Sequence, residues 1–298
     1  MTGPHQETDW SGGFGSGDEP RWAEPGLHDF PVAQPAPPPP PPEPVRRLPR
    51  AIAVTGSVGG AGGTVTAILL AALITEQFQR KVLLLDATPA GGDLQGRVFG
   101  ATRAPGQPWE TWAQNGGHPE VMSQFLRGRQ SGLAIPPSDR LIGAADTARL
   151  VATTIESLTP HGWIVVLDTG SGALGSPALA AAVAAEAAVV LTIPQRADGA
   201  NRTRLFLSGL AQQYDRRVVA DAVIAVTDQD GAQPHVYQTL EGGLGSKVSD
   251  IVRIPMDPQL ATGLAVAPTT ITAVTRSAYT ALIKALTGTQ AAARRPAA

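Results

Sequence analysis

The chain of 298 residues contains no cysteine, which excludes disulfide frameworks, thiolate zinc sites and cysteine nucleophiles. Its five histidines are scattered and leave little material for a metal centre. Lysine is nearly as scarce: only Lys81, Lys247 and Lys284 stand among 23 basic residues. No uninterrupted run of about 18 apolar residues occurs, and the N-terminus lacks the apolar core of a secretion signal. A membrane-spanning or secreted protein is therefore not expected, and the cytoplasm is the expected compartment. The formal net charge of -2 is too small, and its basic residues too dispersed, for a dedicated nucleic-acid binder.

What is present falls into two compositional zones. Thirteen of the 27 prolines lie in the first 50 residues, six of them consecutive at Pro37 to Pro42. Residues 1–44 also hold seven acids and one Arg, against 18 acids and 22 bases in the remainder. With so few large aliphatic residues this acidic arm cannot pack a core, so a disordered segment over 1–47 is expected, stiffened into polyproline II around the proline run. Trp10, Trp22 and Phe30 make the arm a candidate docking segment for a protein partner. The 43% hydrophobic and 16% charged composition of the chain suffices for one large domain, expected over 48–288, with a flexible tail over 289–298.

Within that body, short runs rich in Val, Ile and Leu alternate with helical patterns. The runs are 51–56, 81–86, 140–144, 163–168, 187–193, 217–227 and 250–254. Such continuous apolar runs are what strands buried on both faces look like, and the intervening helices make the sheet mainly parallel. The expectation is a three-layer α/β/α domain with about seven strands. Residues 100–138, with Pro, Gly and two tryptophans, read as a less regular, short helical excursion.

The segment Thr55-Gly56-Ser57-Val58-Gly59-Gly60-Ala61-Gly62-Gly63-Thr64-Val65 lies after the first strand and before an apolar helix. In that context glycines let successive N–H groups converge on an anion, and the helix N-terminus adds partial positive charge. Here the chain resembles the ParA/MinD family of deviant Walker A P-loop ATPases, whose loop has the form K-G-G-x-G-K-[T/S]. The resemblance runs over residues 50–288 and aligns the loop on Val58 to Thr64. Both lysines are missing; Val58 and Gly63 stand in their places. Further matches are VLLLDATPAGGDL (82–94), WIVVLDTGSG (163–172), VVLTIPQ (189–195) and IPMDPQLATG (254–263).

The resemblance implies that Gly59, Gly60, Ala61, Gly62, Gly63, Thr64 and Val65 cradle a nucleotide, and that Asp228 stands near its base. It implies a Mg²⁺ side formed by Thr64, Asp86 and Asp168. Thr88 replaces the acid that orients the attacking water in the family, and a hydroxyl lacks a carboxylate's charge and basicity. The expected function is a pseudo-ATPase with weak ATP and Mg²⁺ binding, neither needed for folding, acting as a positioning, partitioning or secretion-associated subunit. Alternatives are a working ParA/MinD-type ATPase with substituted residues, or a module binding another anion such as a nucleotide messenger. Candidate partners are a second copy, an intact ParA/MinD-like paralogue and a protein engaging the arm. Arg202, Arg204, Arg216 and Arg217 are interspersed with Asp198, Asp215 and Asp221, so they read as a solvated face and not a DNA surface.

Overall fold

The computed structural model describes residues 47–88, 92–100, 107–121, 132–138, 144–172, 174–229 and 234–293. The expectations for the arm over 1–46 lie outside these residues. Seven strands form a wholly parallel sheet in the order β3-β2-β4-β1-β5-β6-β7. They are β1 Ala51–Gly56, β2 Lys81–Asp86, β3 Leu133–Ala134, β4 Trp163–Ser171, β5 Ala188–Pro194, β6 Val223–Thr227 and β7 Asp250–Ile254.

Alternation along each strand divides the core into two. Ile52 and Val54 of β1, with Val82 and Leu84 of β2, face helices α1 (Gly63–Phe78) and α10 (Ala273–Ala293), where they meet Leu69, Leu73 and Leu282. Ala53, Leu83 and Leu85 face the opposite layer. There they pack with Trp109 of α3 (Trp109–Gln114), Leu150 of α4 (Ala144–Leu158), Leu179 of α5 (Pro177–Ala184) and Phe206 of α6 (Ala197–Gln213). These two apolar layers account for the double-faced Val, Ile and Leu runs in the sequence. α1 is buried at every position from Thr66 to Thr75. A helix covered all round needs no amphipathic stripe, so this one reads as almost uniformly apolar.

One expectation changes, and a second falls almost wholly outside the described residues. The run 217–227 is not one strand: Arg216–Ala220 form α7, capped by Asp215, whose Oδ1 accepts from Arg217 N at 2.6 Å. The side-chain cap competes with extended backbone, and only Val223–Thr227 joins the sheet. The strand expected at 140–144 lies outside the described residues except for Ala144, which opens α4. The edge beside β2 is taken by the two-residue β3. Within 100–138, the described residues include both α3 and β3. α2 (Leu94–Phe99), α8 (Pro234–Leu244) and the short α9 (Pro258–Ala261) complete the described helices. Among the described residues no helix is long and apolar enough to cross a membrane.

Central β1 lies between β4 and β5: β5, β6 and β7 run outward on one side, while on the other β2 and β3 lie beyond β4, so the chain switches sides at β1. In an open parallel sheet the crevice at such a switch point, beyond the C-terminal strand ends, is where ligands bind.

Candidate functional site

The turn from β1 into α1 is shaped by its glycines. A Cβ at Gly56 would lie 3.0 Å from the Ser171 Cβ and 3.1 Å from the Val58 carbonyl oxygen. Gly60 and Gly62 have φ of 76° and 79°, a region that L side chains rarely adopt. Gly62 is the N-cap of α1, and its carbonyl accepts from Thr66 N at 2.9 Å. The leading N–H groups of α1 have no intrahelical acceptor and face the ligand side of the turn. Two carbonyls of the loop are held from the end of β6 and the residues just after it: Thr227 Oγ1 donates to Ala61 O at 3.2 Å, and Gln229 Nε2 donates to Gly60 O. Fixing these carbonyls restricts the peptide planes, which preorganises the N–H groups on their other side. Thr227 and Gln229 were not singled out from sequence; a Thr ending an apolar strand carries no distinguishing local signal.

β2 and β4 are neighbours in a register that sets Asp86 opposite Asp168. Both acids are buried. The Thr64 hydroxyl donates to Asp168 Oδ2 at 2.6 Å, and Gly170 N donates to Oδ1 at 3.1 Å. Burial pushes the Asp168 carboxyl up to about 6, with the Asp86 charge adding to the rise while Thr64 and Gly170 oppose it. Asp86 Oδ1 accepts from Thr88 N at 3.2 Å. Two buried carboxylates and a threonine hydroxyl are hard oxygen donors, and a divalent cation would relieve both their desolvation and their repulsion. The residues present therefore fit Mg²⁺. Among the described residues no cluster of three or more His, Cys, Asp or Glu suits a metal.

Thr88 is half-buried, and its hydroxyl donates to Asp168 O at 3.4 Å. Space around it is tight, since Cβ atoms at Gly92 and Gly170 would each fall 2.8 Å from Thr88 atoms. Asp93 holds the N-cap position of α2 without a side-chain cap bond; its carboxylate lies against Gly96.

A cavity of about 760 Å³ opens over the strand ends, a size suited to a small molecule. Gly60, Ala61, Gly62, Gly63, Thr64, Val65, Asp168 and Asp228 all line it, together with Val58 and Thr88. Gly59 and Asp86 are not among its lining residues; Gly59 is exposed, and Asp86 reaches the site as the register neighbour of Asp168. Among the described lining residues Arg97 is the single basic one, and its Nη2 donates to Leu260 O at 3.2 Å. The far wall comprises Ile254, Pro255, Met256, Leu260 and Ala261. There Asp257 caps α9. Burial alone would raise its carboxyl, yet bonds from Thr272, Thr275 and Gln259 hold it below the usual range. Tyr279 sits 3.3 Å from Thr66 Oγ1, and burial pushes its phenol up to about 12, so it stays neutral.

Asp228 is tied to Arg253 Nη2 at 3.2 Å, and Arg253 Nε donates to Gln195 Oε1 at 2.9 Å. Away from the cavity, Arg217 pairs with Asp221 at 3.4 Å and Arg196 with Asp198 at 3.5 Å.

A wholly parallel sheet with a glycine-rich β1–α1 turn over its central strand is a doubly wound α/β fold, and solved ParA/MinD-type ATPases share it. The ParA family ATPase of Chlorobium tepidum matches with a TM-score of 0.62 at 15% identity, over 80% of this chain and 98% of that one. MinD of Pyrococcus horikoshii, complexed with Mg-ADP, matches with a TM-score of 0.57 at 17% identity, over 82% of this chain and 97% of that one. Cobyrinic acid a,c-diamide synthase of Mycobacterium smegmatis, with bound ATP analog and magnesium, gives 0.55 at 19%, over 83% and 98%. At these identities the likeness is one of fold. No protein-family profile matches the chain. No curated protein matches it by sequence.

Proposed function

We propose that this chain is a ParA/MinD-like protein that holds the phosphates of a nucleotide without turning them over at an appreciable rate, and that it serves as a positioning, partitioning or secretion-associated subunit. The observation that carries the reading is the charge of the cavity: a loop shaped for phosphate is lined by no lysine, and Arg97 is engaged with Leu260 on another wall. Gly60 to Val65 would bind phosphate oxygens through backbone N–H groups. Thr64 and Asp168, backed by Asp86, would hold Mg²⁺, which when bound supplies charge neutralisation to the phosphates.

Each missing lysine removes a charge-assisted contact worth roughly 1.5–3 kcal/mol, so affinity falls on the order of tenfold to a hundredfold per lysine. Turnover suffers more, because charge developing on a transferred phosphoryl group meets only backbone dipoles at Gly63. Thr88, donating to a backbone carbonyl, offers no base for water. The likeness to proteins crystallised with Mg-ADP or an ATP analog supports nucleotide as the ligand class.

The test is a stoichiometric nucleotide titration with Mg²⁺ alongside a phosphate-release assay on the same preparation. Weak saturable binding with negligible release is expected. Sustained turnover at the rate of intact ParA-type ATPases, abolished by Thr64→Ala, would overturn the reading.

A further inference from the structure

The loop lines one part of the cavity, and Ile254, Pro255, Met256 and Leu260, at and after the end of β7, supply apolar lining. Two carboxylates stand with this apolar lining, Asp228 and Asp257. Asp257 is already spent on the fold: its Oδ1 accepts from Gln259 N and its Oδ2 from Thr272 N, both at 2.9 Å. Asp228 differs. Its side chain is only 7% exposed, it lines the cavity, and its Oδ2 is held at 3.2 Å by Arg253, itself anchored on Gln195. Its backbone N–H is fixed on Ile254 O at 2.9 Å. The result is a pinned carboxylate in the wall, with lone pairs beyond those the single ion pair uses.

We infer that this part of the cavity selects guanine over adenine, so that the ligand is a guanosine nucleotide; the inference rests on reading the loop as the phosphate site. An ionised carboxylate only accepts, so the ring edge that meets it must donate. Guanine offers adjacent N1–H and N2–H donors, which match the two oxygens of one carboxylate. Adenine offers one amino donor beside the N1 lone pair, and that lone pair would face the negative charge. Cytosine shares the donor-acceptor arrangement of adenine, and the N3–H of uracil is flanked by two carbonyl oxygens. A site built to hydrogen-bond a donor discriminates strongly against an analogue that lacks it, because its own buried acceptor is then left unpaired.

The experiment is calorimetric titration of the full chain with GDP, ADP, inosine diphosphate and pyrophosphate, each with Mg²⁺. GDP is expected to bind at least about tenfold more tightly than ADP. Inosine diphosphate, which lacks the 2-amino group, is expected to fall several-fold below GDP. Asp228→Asn should erase the preference for GDP and leave pyrophosphate binding unchanged. Pyrophosphate binding with GDP and ADP equal, or with ADP tighter, would overturn the base assignment while leaving the phosphate site intact. Absence of binding by all four, pyrophosphate included, would overturn the phosphate reading and this inference with it. Should Asp228→Asn fail to fold for want of a partner for Arg253, the unmodified protein decides: equal affinity for GDP and inosine diphosphate refutes the proposal.

Discussion

The hydroxyl of Thr64, in the first turn of α1, donates to Asp168 Oδ2 at the end of β4 across 2.6 Å. One bond thus joins the phosphate-type loop to the buried acid pair. Thr64→Ala should leave the carboxylate short of a partner and cost on the order of 1–3 kcal/mol. Urea denaturation at pH 8 and pH 5 checks this. The loss should be larger at pH 8, because the bond favours the charged form and Asp168 is charged only above about 6.

Asp168 also predicts an unusual pH dependence. Its carboxyl is raised from 3.8 unfolded to about 6 folded, so the folded state binds the proton more tightly. The contribution of this group is most favourable below about 4, declines as pH rises through the interval, and is fully lost above about 6. The decline amounts to about 3 kcal/mol. Asp168→Asn removes it, so in chelator-treated buffer the variant should gain melting temperature over the unmodified chain at pH 7.5 but not at pH 4. Equal differences at both pH values would contradict the buried-acid account.

Of the three absent family residues, the lysine at Gly63 and the acid at Thr88 are not equally restorable. A Cβ at Gly63 would meet Thr192 Oγ1 at 3.5 Å, ordinary contact, and φ there is not positive. Gly63→Lys should therefore fold and raise triphosphate affinity on the order of tenfold or more, read by titration. Thr88→Asp should instead lower the melting temperature, because a carboxylate would replace a donor 3.4 Å from the Asp168 carbonyl and close to Asp86. Turnover is not expected from Gly63→Lys alone.

Self-association should ignore nucleotide. Val58 stands where the resemblance places the lysine that reaches across a nucleotide-bridged dimer, and Val58 supplies no charge. Sedimentation with and without nucleotide and Mg²⁺ should give the same mass distribution. A nucleotide-dependent shift to dimer would favour a working ATPase.

Deleting residues 1–46 should leave the melting temperature nearly unchanged, since their composition cannot supply a core face and β1 begins at Ala51. A loss of several degrees by calorimetry would show that the arm contributes to the fold.

The local pattern was sufficient wherever one residue's environment repeats along an element. AIAVTG, KVLLLD and WIVVLD declare doubly buried parallel strands because both faces of each meet helices, and the glycines before Thr64 declare a turn that needs positive φ. It misled at 217–227, where VVADAV has strand-like composition but the Asp215 side chain captures Arg217 N and starts a helix. β3 could not be read at all, since two residues carry no periodicity and pairing with β2 alone makes them a strand.

From sequence alone come the parallel α/β class, the phosphate-type turn and the absence of its lysines, because each depends on residue type and order. Only the tertiary structure decides that Asp86 and Asp168 share a register, that Thr227 and Gln229 hold the loop, that the Thr88 hydroxyl meets the Asp168 carbonyl and that Asp228 is fixed by Arg253. Those relations join residues from separate strands, and their strength depends on burial, which no local stretch of chain encodes.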